Sequence, residues 1–342
     1  MSIASPGSLT LVDADRAFPR LAPFRRLTPL HGGSLNYVWR AEAAQGSLIL
    51  KRAPPHVASV PEIALSERRL LIEARALKLF APGAPLDFLA TDAARPPHFL
   101  GFCRRAWLLA EEDLGDGPDA SEVLAEGSRF SRLGTFIGLL HRVTAGDRRI
   151  ARRLANPEVQ RTRFESQYAH VGKFAERAGA PDASALGRVA RAVGQRFLEP
   201  GRCLVMGDLW PASLLVRGGG FRIIDWELAH FGNPAQDLGH LVAHLTMWGV
   251  VKHQEEDAGE AIAGLLRAYR DVLGSFTPGL LDDEVLTDTA VHFGAELLAR
   301  TWGPFAASGP LGGRAPHATS RLALEALRAP SRHVVFRALW QP

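Results

Sequence analysis

Residues 204 to 216 read LVMGDLWPASLLV, and FRIIDWE follows at 221 to 227. Each is an apolar, strand-like run that ends on an aspartate, Asp208 in the first and Asp225 in the second. Runs rich in Leu, Val and Ile suit buried strands, and RGGG at 217 to 220 supplies a turn between them. The stretch therefore predicts strand, loop, strand, turn, strand, loop, with the two carboxylates held on adjacent loops.

Working upstream, LNYVWRAEA at 35 to 43 and SLILKRA at 47 to 53 are β-rich runs separated by AQG, a hairpin pattern. HGGS at 31 to 34 precedes the first run, and Lys51 stands on the second. SERRLLIEARALKLF at 66 to 80 is a helix with Leu70, Ala74 and Leu77 on one stripe; Glu73 falls on that stripe, and a buried acid wants a cation. AWLLAEEDLG at 106 to 115 reads as a buried strand entering an acidic turn. Helical periodicity then dominates, over 128 to 145, over 255 to 274 and over 288 to 302. In the first of these His141 is expected to pack or cap. Asp237, just before LGHLVAHL, is expected to cap that helix's first amides. The pattern is α+β: a small amino-terminal lobe, residues 1–113, with an antiparallel sheet and one helix, a hinge at about 109–115, and a larger, mainly helical lobe over 114–342.

Composition sets the bounds. The chain has 342 residues, 46% hydrophobic and 22% charged, which is globular and ample for a core. The amino terminus lacks a basic segment followed by an apolar one, and the apolar stretch at 238 to 251 is too short to span a bilayer, so a cytoplasmic protein without membrane contact is expected. Cys103 and Cys203 have no metal or redox spacing and read as buried, inert thiols. The net charge is only +4 despite a pI near 9.4, and the arginines are scattered among acids, which argues against a nucleic-acid surface. Of 40 basic residues only Lys51, Lys78, Lys173 and Lys252 are lysine, which makes each a candidate for work that arginine does not do.

Taken in order, the chain offers a glycine loop, a lysine on the next strand, an inward glutamate and two loop aspartates. Phosphoryl transfer from ATP needs this inventory: a cover and a cation for the donor phosphates, an anchor for that cation, carboxylates for magnesium, and a base for the acceptor hydroxyl. On these residues the sequence resembles the protein-kinase-like small-molecule kinases that include aminoglycoside phosphotransferases and choline kinases. GGSLNYVWR, SLILKRAPPHV, ERRLLIEARAL, EEDL, GDLWPAS and IIDWELAHFG are most similar to methylthioribose kinases, from about residue 30 to 245.

The resemblance implies a bilobal kinase fold, ATP and Mg2+ as cofactors, and a small-molecule acceptor, with the chain a monomer or homodimer. It implies that Asp208 is the catalytic base, that Asp225, Glu227 and Ser213 hold the metal, and that Asp237 braces the catalytic loop. It assigns Gly32, Gly33, Ser34, Asn36, Lys51, Glu73, Glu111, Glu112 and Asp113 to ATP, and Trp210 and Arg300 to the acceptor. Two positions depart from the pattern. Met206 replaces the histidine that usually precedes Gly-Asp, and Ala299-Arg300 stands where methylthioribose kinases carry paired arginines. A sugar such as methylthioribose is the expected acceptor. An aminoglycoside or other amino-alcohol kinase, a nucleotide-binding regulator without turnover, and a basic nucleic-acid protein are the alternatives.

Overall fold

A computed structural model describes residues 9–30, 35–274, 279–304, 306 and 316–332. The chain opens with helix α1 (Leu11–Ala17) and strands β1 (Phe24–Leu30), β2 (Tyr37–Ala43) and β3 (Gly46–Arg52). A two-stranded hairpin follows, β4 (His56–Val57) and β5 (Val60–Ala64), then α2 (Arg69–Leu77), β6 (Ala94–Arg95), β7 (Phe99–Cys103) and β8 (Leu108–Glu112). The main sheet runs β1-β2-β3-β8-β7, antiparallel throughout.

Alternation along β3 decides what each face carries. Leu48 and Leu50 join Trp39, Phe24 and Leu108 in a small core roofed by Ala14 of α1. Ile49 and Lys51 point the other way, with Glu111 opposite Ile49 and Leu109 opposite Lys51 on β8. The same alternation that buries Leu50 therefore aims Lys51 and Glu111 into the body of the protein.

The remainder is built on α3 (Gly127–Thr144), α4 (Arg148–Arg153), α5 (Pro157–Ser166), α6 (Val171–Arg177) and α7 (Ala183–Gln195). After these come β9 (Cys203–Val205), β10 (Leu214–Arg217), β11 (Gly220–Ile223) and β12 (His230–Gly232). Helices α8 (Pro234–Lys252), α9 (Glu255–Leu273), α10 (Asp283–Trp302) and α11 (Pro316–Arg328) complete it. β9 pairs with β12, and β10 with β11, both antiparallel, while β6 runs parallel to β11. One continuous core joins Leu70 and Leu77 of α2 to Trp226, Leu241 and Leu297. Gly134 and Gly239 let helices approach closely: a Cβ at either would strike α9 or α10 backbone.

The structure corrects local expectations. The helix expected over 66–80 is regular only over Arg69–Leu77, and α10 starts at Asp283, five residues ahead of the expected 288. Asp237 does not cap α8; Asn233 does, its side chain accepting from Ala235 N, because Pro234 opens the helix and leaves Asp237 inside the first turn. Cys203 is buried as expected, whereas Cys103 is only half-buried. Among the described residues no helix is long and apolar enough to cross a membrane.

Candidate active site

The loop after β9 carries Met206, Gly207 and Asp208. Gly207 has φ +83°, and a Cβ there would strike the Leu228 carbonyl oxygen, so only glycine takes this turn. The two oxygens of Asp237 accept from Met206 N and Gly207 N, each at 2.8 Å, and Gln236 Nε2 donates to the Gly207 carbonyl at 2.9 Å. The first turn of α8 thus clamps the loop. His141 Nε2 lies 3.3 Å from Asp237 Oδ2, and its Nδ1 lies 3.0 Å from Tyr269 Oη. Met206 is buried, its thioether filling core space without donating any bond. Ser213 is fully buried and closes the loop internally, its hydroxyl donating to the Trp210 carbonyl at 2.8 Å and accepting from Trp210 N at 3.2 Å.

Lys51 Nζ sits among three carboxylates: Glu73 and Glu111 at 2.9 Å each, and Asp225 at 2.7 Å. Burial opposes a charged lysine, but these neighbours outweigh it and raise Lys51 well above its usual range. Burial likewise raises Glu73, and pushes Glu111 up to about 8 against the pull of Lys51. Among the described residues Glu73 Oε2 and Glu111 Oε2 have no hydrogen-bond partner, so the cluster holds more acceptor capacity than one lysine satisfies. Asp225 is the exposed member, 36% open, and takes the left-handed conformation with φ +64°.

Glu227 is placed differently from the metal-ligand expectation. It is 2% exposed, and its two oxygens accept from Arg69 Nε and Asn36 Nδ2, both at 2.7 Å. Burial raises it to about 7 although Arg69 pulls it down. Arg69 is wholly buried and also donates to the carbonyls of Pro54, Leu65, Ser66 and Leu35. Asn36 Oδ1 accepts from Arg69 as well, so Asn36 faces this knot instead of open space. At the end of β8, Glu112 is held by both terminal nitrogens of Arg95, and Asp113 by Arg40 Nε at 2.7 Å. Gly32, Gly33 and Ser34 lie outside the described residues.

Asp208 opens onto a cavity that Trp210 and Arg300 also line, with Arg163, Gln167 and Glu296. Its far wall is apolar: Val57 and Ile63 of the β4-β5 hairpin, with Leu35, Leu65 and Val159. Asp208 Oδ1 accepts from Arg163 Nη2 at 2.6 Å. Glu296 accepts from Arg300 Nε and Gln167 Nε2, both at 2.7 Å, and contacts His244 Nε2 at 3.0 Å. Burial alone would raise Glu296, yet Arg300 and its histidine neighbours hold it well below the carboxylate range. The Arg300 guanidinium lies 5.4 Å over the Trp210 ring, a cation–π contact.

The structure brings Lys51, Glu73, Glu111 and Asp225 into one cluster, and Asp208, Trp210 and Arg300 into one cavity. Two site arginines went unread in the sequence, the buried Arg69 and the half-buried Arg163. A signal existed for each: Arg69 is four residues before Glu73, and Arg163 four after Val159 and four before Gln167, which places both on buried helix faces.

Known proteins bear on this geometry. The phosphotransferase enzyme family (APH) matches residues 26–278. A methylthioribose kinase of Exiguobacterium sibiricum is 28% identical over 79% of this chain and 78% of its own. A 4-hydroxytryptamine kinase of Psilocybe cyanescens is 23% identical over 70% and 72%. Among solved structures, a choline kinase of Cryptosporidium parvum superposes with TM-score 0.55 at 11% identity, covering 92% of this chain and 91% of that one. The amicoumacin kinase hAmiN, solved with AMP-PNP, Ca2+ and Ami, superposes with TM-score 0.52 at 14% identity over 92% and 91%. With its matched span holding the lysine cluster and the clamped Asp208 loop alike, this chain belongs to the phosphotransferase enzyme family (APH) and is a small-molecule kinase.

Proposed function

We propose that the protein transfers the γ-phosphoryl group of ATP, with magnesium, to a hydroxyl of a small neutral molecule, for which we assign a sugar such as 5-methylthioribose. The observation that carries this reading is the pairing of two sites: a Lys51–Asp225 contact at 2.7 Å, and Asp208 at the floor of a partly apolar cavity. The surplus of carboxylate oxygens around Lys51, two of them without a partner among the described residues, suits a divalent cation carried in on phosphates. Asp225, the open carboxylate, would hold the metal, and Lys51 would meet the donor phosphates. A structural neighbour bears AMP-PNP and Ca2+, which fits the same reading.

Asp208 would accept the hydroxyl proton of the acceptor and orient its oxygen in line with the phosphorus, while Asp237 keeps the loop in place. Magnesium, when bound, would neutralise charge on the transferred group. In this assignment Glu227 and Ser213 serve as supports: Glu227 anchors Asn36 and Arg69 beneath the metal carboxylate, and Ser213 closes the catalytic loop. Support for a neutral acceptor comes from the cavity's acids, because Asp208 is paired with Arg163 and Glu296 with Arg300. A polycation would find no unpaired carboxylate among these.

The test is an acceptor panel of methylthioribose, other pentoses, choline and aminoglycosides with Mg-ATP, read by ADP release and product mass. Methylthioribose should be phosphorylated, and Asp208→Asn should lose about 10²-fold or more of that turnover. Turnover of aminoglycosides without any pentose would sink the acceptor assignment. Binding of Mg-ATP without product from any acceptor would favour a regulator.

A further inference from the structure

The guanidinium of Arg163 is an unusual object to find beside a candidate base. It stands on α5, is half-buried with 14% of its side chain exposed, and donates from Nη2 to Asp208 Oδ1 at 2.6 Å. Asp208 Oδ2 carries no hydrogen bond from the described residues, so one carboxylate oxygen is held and the other is free, on a side chain that lines the cavity.

A second contact fixes the arginine itself. Arg163 Nη1 lies 3.2 Å from His240 Nδ1, and since arginine only donates, His240 must accept there and carry its proton on Nε2. That proton goes to Tyr168 Oη at 3.0 Å, and the Tyr168 hydroxyl then donates to His292 Nδ1 at 2.6 Å. The chain of bonds runs in one direction from α5 through α8 to α10, and beyond Arg163 its members, His240, Tyr168 and His292, are buried. A cation so anchored cannot swing away when an acceptor arrives.

We propose that Arg163 is a positioning residue for phosphoryl transfer: it pins Asp208 through Oδ1, so that Oδ2 alone faces the acceptor hydroxyl. This rests on the assignment of Asp208 as the base. A carboxylate with both oxygens free would sample several orientations, and a displacement of about 1 Å at a reacting group costs about 10²-fold in rate. Lysine in its place would supply a point charge but not the fork that reaches Asp208 and His240 together.

The experiment compares Arg163→Met, Arg163→Ala and Arg163→Lys with wild type and Asp208→Asn, using Mg-ATP and methylthioribose as the probe acceptor. Arg163→Met should lower kcat by about 10²-fold with the KM for ATP unchanged. Arg163→Lys should recover part of the loss, and millimolar guanidinium should do so for Arg163→Ala. Wild-type kcat in Arg163→Met, with Asp208→Asn inactive, overturns this inference alone. A loss that neither lysine nor guanidinium repairs overturns it too, because a purely structural role gives that result. Full turnover by Asp208→Asn would instead remove the base assignment and the inference with it. If wild type phosphorylates nothing, a crystal structure of Arg163→Met decides: Asp208 turned from its present orientation supports the pin, and Asp208 unmoved overturns it.

Discussion

Lys51 shows how rarity and burial combine. It is one of four lysines in 40 basic residues, and it is 4% exposed among Glu73, Glu111 and Asp225. Its neighbour Glu111 gives a measurable signature. Burial pushes its carboxyl up to about 8 in the folded state from an ordinary 4.5, so the folded protein keeps a proton that the unfolded chain has shed. That contribution is fully present below pH 4.5 and is lost as pH rises to about 8. Glu111→Gln should therefore flatten the decline in denaturant midpoint across this window, and an undiminished decline would show that Glu111 is not its source. Lys51, Glu73, Asp208 and Asp225 were legible residue by residue, because each is an unusual type at its place. Arg69 and Arg163 were not: among thirty-six arginines, two that face inward carboxylates look like the rest.

Helix α8 does more than its sequence suggested. Its first turn presents Asp237 to two loop amides, and its later turns place His240 and His244 against α10. Asp237→Ala would orphan Met206 N and Gly207 N, at about 1–3 kcal/mol for each buried amide, and should lower kcat more than it raises the KM for ATP. Equilibrium unfolding and steady-state kinetics check the two halves separately. The histidines set an acid limit. Burial holds His240 well below 6.5, His244 below it, and His292 at about 3. Their neutral forms contribute stability that is present above pH 6.5 and is lost as pH falls toward 3. The midpoint of denaturation should fall steadily over that range, and His292→Asn should reduce the slope. The helix periodicity was readable here, but the cap was not: Pro234 fixes the helix start and leaves the cap to Asn233, while Asp237, named as the brace only by the resemblance, faces a loop 30 residues away that no local pattern identifies.

Across the whole molecule, Arg69 and Glu227 tie α2 to the turn after Asp225, linking the sheet lobe to the helical one through a pair with 0% and 2% side-chain exposure. Removing either partner alone leaves a buried charge, which costs about 3–5 kcal/mol. Arg69→Met or Glu227→Leu singly should destabilise by about that amount, and the double variant by clearly less than their sum. A double-mutant cycle in urea reads the coupling, and additive losses would mean the tie is not shared. The apolar wall from the β4-β5 hairpin belongs to this scale too, because Val57 and Ile63 meet Val159 only when both lobes are folded together.

From sequence alone came the α+β order, the strand, loop, strand, turn, strand, loop segment over 201 to 227, and the chemical types that phosphoryl transfer requires, because hydrophobic period and turn residues are local properties. Only the tertiary structure decided what each carboxylate faces. It set Asp225 open beside Lys51, turned Glu227 inward onto Arg69 and Asn36, and gave Asp208 an arginine from a helix 45 residues earlier. The cause is physical: a buried charge must find a partner, and that partner is chosen by packing across the lobes, which no short stretch of sequence contains.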